Sequence, residues 1–321
     1  MSVVKVIMNF NKKLNVSKMI KFLFKILLFS GVPVASLIAV FLIENGYSDF
    51  YYQRFTTGKQ SSLIIGDSKA AQGIVPSILN ENINSSKNVD FYNYSFTANN
   101  SPFGKYYSES VLNKVYNTSG NYFIVCVDIW AFLVSKDKPS DFIEKDGFIS
   151  MVTNPNQNPN FLYMLFHFNR SFYDIILRNL DHSYFKLHDD GWLELKLPMD
   201  KVSIRDRHLE KLNSIKIQSE SLIFSESRFN EFSMLVNNLN ELGKVFLVKL
   251  PVSDSVMQYE DKIYPDLERR IQEFSLNSNI QYFEFDSISS NYVYTDGLHL
   301  SKDSSIEFTS LLSIILKPYV E

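Results

Sequence analysis

Five short apolar runs, each set against a helical segment, are the feature that most narrows what this chain can become. They are Ser61–Ile65, Val89–Tyr94, Tyr122–Val127, Val245–Leu250 and Ile280–Phe285. Tyr122–Val127 is apolar at every position, as a strand covered on both faces requires. Between and after them lie helical stretches. Ser101–Val115 has Ser101 as a candidate N-cap and Pro102 in the first turn. Glu226–Leu242 is amphipathic and stops at Gly243, Asp261–Leu276 follows, and Ser301–Leu316 closes the chain with Ser301 as a candidate N-cap. Strands alternating with helices at this spacing predict a mostly parallel α/β sheet of about five strands in a three-layer α/β/α sandwich. Residues 131–225 break the rhythm. They are rich in Asn, Asp, Phe and Tyr, and read as an insertion between the third and fourth strands, partly helical near Phe161–Leu180.

The amino-terminal end is of another kind. Ile26–Ile43 holds no charged residue and is dominated by Leu, Ile, Val and Phe. Flanking Phe22, Leu23 and Phe24 extend it to the length of a bilayer span. Lys5, Lys12, Lys13, Lys18, Lys21 and Lys25 precede it with no acid among them. The positive-inside rule then places this end in the cytoplasm and the rest of the chain outside. The expected organisation is a basic cytoplasmic tail (1–18), a single-pass cell-membrane anchor (19–45) and an extracytoplasmic domain (46–321). The competing reading is a cleaved signal peptide, which the length of the run and the lack of a small-x-small site disfavour.

A formal net charge of -3 gives no reason to expect nucleic acid as a partner. Cys126 is the one cysteine, so no intramolecular disulfide exists. Lying within the third strand, it reads as a small core residue rather than a nucleophile. The 27 Phe and 18 Tyr are mostly core, with some available to line a sugar-binding cleft.

In an open parallel sheet, sites form beyond the carboxyl ends of the strands. The first strand runs into Gly66-Asp67-Ser68. Gly66 permits a tight turn, and the Ser68 hydroxyl and N–H both emerge at the sheet edge. A hydroxyl is a weak nucleophile and needs a base from elsewhere. The loop after the fifth strand, Thr295-Asp296-Gly297-Leu298-His299, has Asp296 three residues before His299. This spacing can set the carboxylate on one imidazole nitrogen and leave the other for the serine.

Together these motifs, at the first and last strands of one sheet, resemble the SGNH (GDSL-type) hydrolase superfamily. Gly66-Asp67-Ser68 matches its first block and Asp296 to His299 its last. The longer string Gly66 to Gly73 looks like the membrane-anchored subgroup found with bacterial surface-polysaccharide acylation systems. The resemblance implies a serine esterase or acyltransferase with Ser68, Asp296 and His299 as catalytic set, needing no metal or organic cofactor. It implies O-acyl, chiefly O-acetyl, groups on surface glycans as substrate, and a multi-spanning membrane acyltransferase as partner. The middle blocks depart from the family. Ser95 stands where an oxyanion glycine is usual, and Val127-Asp128-Ile129-Trp130 replaces Gly-x-Asn-Asp. Asn99 and Asn100 are the replacement oxyanion donors, or simply turn residues. A catalytically degenerate module that binds glycan or a membrane partner is the alternative, and a lipase a weaker third.

Other polar residues read as structural. His182, His188, Asp189 and Asp190 fit a solvated loop, His167 a packing residue, and His208 with Arg205, Asp206 and Arg207 an exposed charged face. Trp130 reads as core, while Trp192 fits either core or a sugar platform.

Overall fold

The computed structural model describes residues 3–83, 89–137, 155–168, 170–178, 180–181 and 183–320, with side chains from residue 16 onward. Its strands, in chain order, are β1 (Ser62–Ile65), β2 (Phe91–Asn93), β3 (Asn121–Cys126), β4 (Leu133–Ser135), β5 (Phe185–Leu187), β6 (Leu193–Leu195), β7 (Leu222–Phe224), β8 (Gly243–Lys249) and β9 (Gln281–Glu284). Five of them form one sheet in the order β2-β1-β3-β8-β9. Every pair in it is parallel.

Strand alternation sorts the side chains into two cores. Leu63, Ile65, Phe123, Val125, Val245 and Leu247 face one way, joined by Val111, Phe232, Leu235 and Ile271 from the helices Lys105–Lys114, Glu226–Leu242 and Leu267–Asn277. Ile64, Ile124, Phe246 and Val248 face the other way, onto Ala70, Leu79, Phe308 and Leu312 of the helices Ser68–Gly73, Pro76–Ile83 and Lys302–Val320. The result is the three-layer α/β/α sandwich expected from the alternating runs.

Two helices differ from expectation. Asp261–Leu276 is divided into Asp254–Ile263 and Leu267–Asn277. Pro265 sits at the break, and the residue before a proline is pushed out of helical geometry, as Tyr264 is at φ -152. The Lys105–Lys114 helix is capped by Gly104, not Ser101. Ser101 instead donates its hydroxyl to Gly66 O (2.8 Å) and Thr97 O (2.9 Å). Ser301 does act as a cap, its Oγ accepting from Ser304 N at 3.3 Å.

The insertion is pinned at its base, because β4 and β7 pair antiparallel near its two ends. Between them lie the helices Phe161–Phe166, Phe172–Arg178 and Lys201–Ser221 and the β5–β6 hairpin. The hairpin turn is held rather than solvated. Asp190 O accepts from Asn93 N (2.8 Å), Gly191 O from Arg54 (2.7 Å), and Asp190 Oδ2 from Ser77 N (3.0 Å). His188 bonds Glu194 at 2.9 Å. Trp192 is buried, with its indole N–H on Gln72 O, so it is core and no sugar platform. His182 lies outside the described residues.

The first helix runs from Val3 to Leu42, back through the basic tail. Its segment Val16–Leu42, with mean hydropathy 2.1, is long and apolar enough to cross a membrane. Pro33 lies within the helix, and Ser30 Oγ bonds Ile26 O at 2.8 Å. The far end belongs to the folded domain. Phe41 is buried, and Leu37 and Val40 pack against the same core. A chain starting at residue 46 therefore loses part of its core. Phe41→Ala should cost about 3–5 kcal/mol, read as a lowered urea midpoint of the full chain in detergent.

Lys114 gives the fold a pH signature. Its ammonium is buried against the rings of Tyr92 and Tyr94 and donates to Thr57 Oγ1 (2.8 Å). Burial lowers its pKa to about 7. Between that value and the usual lysine range near 10.4, the unfolded chain binds more protons than the folded one, so this group makes stability rise with pH. Lys114→Met should flatten the rise, a difference visible in melting temperatures taken from pH 7 to 10.

Candidate active site

The serine turn is built by close packing. Gly66 ends β1 where a Cβ would lie 2.8 Å from Cys126 Cβ and 2.9 Å from Ala70 Cβ, so only glycine fits. Its carbonyl accepts from Phe96 N (3.1 Å) and Ser101 Oγ. Asp67 caps the next helix by accepting from Lys69 N at 2.9 Å. Ser68 is the first residue of that helix, where main-chain N–H groups have no helical acceptor.

Across the sheet edge, His299 Nε2 lies 2.9 Å from Ser68 Oγ. His299 Nδ1 lies 3.0 and 3.1 Å from the two Asp296 oxygens. Asp296 Oδ1 also accepts from the N–H of Leu298 (3.0 Å) and of His299 (2.9 Å). Burial alone would push the Asp296 carboxyl up. The His299 ring, the His299 N–H and Lys211 outweigh it and hold the carboxyl well below the usual range. Asp296 is thus an ionised acceptor, which sets the Nδ1–H tautomer and leaves Nε2 to accept from the Ser68 hydroxyl. Cys126, by contrast, is buried and its thiol is pushed far up by that burial.

The proposed oxyanion donors fare differently. Ser95 is buried and its N–H already donates to Asn93 Oδ1 at 3.2 Å, so the structure does not present it to a substrate. Asn100 lies in a turn with its N–H on Thr97 O, and does not line the pocket around Ser68. Asn99 does line it. Asp128 offers no donor, because it faces Lys69 Nζ at 2.8 Å. Glu260 completes this buried cluster, 3.2 Å from Lys69 Nζ and 2.8 Å from the Trp130 indole nitrogen.

The insertion supplies what the motifs did not reveal. The Lys201–Ser221 helix lays one face on the catalytic loop. Arg207 Nε donates to Thr295 O (2.8 Å), Lys211 Nζ lies 3.5 Å from Asp296 Oδ2, and His208 packs on Gly297 while bonding Ser255 Oγ (2.8 Å). Arg207 and His208 are half-buried, not an exposed charged face. The same helix brings Ser214, Ile215 and Gln218 to a pocket of ≈ 370 Å³ that also includes Ser68, Trp130 and Arg228. Among the described residues no cluster fit to hold a metal ion occurs.

Gly297 is the position of this loop that requires glycine. Its φ is +86°, and a Cβ there would lie 2.2 Å from His208 Nδ1. Gly297→Ala should shift Asp296 and His299 and cost about 100-fold in turnover, since a misplacement of ~1 Å has that effect. Ester hydrolysis by the purified variant checks it.

The parallel sheet in the order β2-β1-β3-β8-β9 thus carries Ser68, His299 and Asp296 together at one edge. No family model and no curated protein matches the chain. Among solved structures it is similar to a carbohydrate acetylesterase from Sinorhizobium meliloti, with 10% identity over 81% of this chain and 100% of that one at TM-score 0.39. An aryl esterase from M. smegmatis matches with 10% identity over 80% and 98% at TM-score 0.37. A putative platelet activating factor from Streptococcus pneumonia matches with 14% identity over 90% and 99% at TM-score 0.36. These likenesses are distant.

Proposed function

We propose that the protein is a serine-dependent O-acyl esterase or acyltransferase working through an acyl-serine intermediate. The carrying observation is the continuous relay from Ser68 Oγ through His299 to Asp296 at hydrogen-bond distance. Ser68 Oγ attacks the ester carbonyl as His299 Nε2 takes its proton. His299 then returns that proton to the leaving alcohol, and the acyl group stays on Ser68. A water or a second hydroxyl, deprotonated by His299, releases it. In this reading the Ser68 N–H and Asn99, which lines the same pocket, meet the oxyanion.

The apolar first helix supports an envelope setting, with the positive-inside rule placing the domain outside the cell membrane. The half-polar pocket and the resemblance to polysaccharide-acylation proteins support O-acetylated surface glycan as substrate and a multi-spanning acyltransferase as partner. A binding-only module is favoured by one observation, that Ser95 and Asp128 are committed to other groups. Fluorophosphonate labelling of the full chain in detergent, with hydrolysis of short-chain and long-chain nitrophenyl esters, separates the readings. Labelling with short-chain turnover supports the esterase. A folded chain that neither labels nor turns over refutes it, and a preference for long chains indicates a lipase.

A further inference from the structure

Two short helices of the insertion are apolar on both sides. Toward the core, Phe161–Phe166 buries Tyr163 and Met164, and Phe172–Arg178 buries Ile175. Away from it, the first bares Leu162, Leu165 and Phe166, and the second bares Tyr173, Ile176 and Leu177. The exposed side chains recur at helical spacing, so they form faces rather than scattered exceptions. Phe166 is 74% exposed. A soluble monomer rarely leaves such a patch open to water.

Its position identifies what covers it. Phe41, at the end of the apolar helix, packs edge-on against Phe172 with ring centroids 5.1 Å apart and against Phe161 at 6.1 Å. Tyr163 donates its hydroxyl to Asp49, and Tyr47 stacks on Phe185 at 5.3 Å, so the joint between helix and domain is packed. Leu42 and Ile43, at the same level, are exposed too. The patch therefore adjoins the carboxyl end of the helix that is long and apolar enough to span a membrane. Arg170, exposed in the link between the two helices, and half-buried Arg178 supply cations of the kind that meet lipid headgroups.

We propose that Phe161–Phe166 and Phe172–Arg178 lie in the bilayer interface as a foot beside the anchor. The partner is the phospholipid bilayer itself. One helix alone leaves a domain free to tilt, whereas a helix and a foot fix the orientation of the Ser68 pocket over the membrane. This inference rests on the first helix spanning the membrane and not on the chemistry at Ser68.

The test uses the full chain in phosphatidylcholine vesicles with and without brominated acyl chains. An environment-sensitive nitrobenzoxadiazole probe is attached at single introduced cysteines, Leu165→Cys, Ile176→Cys, Phe29→Cys or Ile314→Cys. Native Cys126 is buried and stays unlabelled. Phe29 lies in the span, and Ile314 is exposed on the helix covering the opposite face of the sheet. The expected result is blue-shifted emission at Leu165 and Ile176 with a loss of intensity on bromination approaching that at Phe29, and none at Ile314. Quenching at Phe29 without quenching at Leu165 and Ile176 overturns the foot, including the case of a blue shift caused by a second copy covering the patch. No quenching at Phe29 removes the anchor and the foot together.

Discussion

Ser68→Ala should abolish fluorophosphonate labelling and lower ester turnover by on the order of 10⁴- to 10⁶-fold while leaving the melting temperature nearly unchanged. The half-buried side chain lines the pocket, and its hydrogen-bond partner is His299 Nε2, so its removal creates neither a sealed cavity nor a stranded buried charge. His299→Ala should cost about as much, because the hydroxyl then has no base. The double variant should be no slower than either single one, as expected when groups act as a unit. Asp296→Asn should be milder, on the order of 10⁴-fold, since it disturbs tautomer and orientation rather than removing the nucleophile or base. It should also lower stability at neutral pH. The folded state holds the Asp296 carboxyl below its usual value, so its contribution is present above the unfolded carboxylate range and lost as pH falls. Wild type and Asp296→Asn should therefore converge in stability under acid conditions. Hydrolysis by Ser68→Ala at the wild-type rate would refute the relay.

The parts of this arrangement visible in the sequence are those whose physics is local. β1, β3 and β8 announce themselves as short apolar runs, and Gly66 and Asp296 lie within three residues of the groups they position. The Lys201–Ser221 helix was not legible, and the reason is compositional. Only Ile215 among its residues is buried, so it carries no apolar stripe, and its contact with the catalytic loop is made by Arg207, His208 and Lys211. These polar side chains resemble any solvated face until the fold brings Asp296 beside them. Ser95 failed as an oxyanion donor for a similar reason. Its position after β2 is right, but Asn93 Oδ1 reaches two residues onward to take its N–H while the Asn93 amide donates to Ala70 O and Ile74 O, a tertiary arrangement that no pattern records. The start of the domain was obscured by the hydropathy of the anchor, because Phe41 looks the same whether it faces lipid or core.

Lys69→Met should destabilise the folded chain by about 3–5 kcal/mol, the usual cost of removing one partner from a buried ion cluster. Lys69 is buried beneath the serine turn, 2.8 Å from Asp128 and 3.2 Å from Glu260. Burial alone would pull its pKa down, but Asp128 and Glu260 more than offset this and keep it charged. Burial already pushes both carboxyls up, and removing the cation pushes them further. The unfolded chain then holds them ionised at neutral pH while the folded variant favours them protonated. The folded state binds more protons, so lowering the pH toward 5 should restore part of the loss. Asp128→Asn and Glu260→Gln added to Lys69→Met should restore stability by another route, since they remove the stranded charges. Urea unfolding of the full chain at pH 7 and pH 5 measures both effects. Labelling separates support from chemistry. If the cluster only braces the turn, the rescued triple variant regains labelling along with its fold. If the Lys69 charge also helps hold negative charge at Ser68, the rescued variant folds but labels slowly. A single Lys69→Met variant as stable as wild type at neutral pH would show that the cluster does not brace the serine turn.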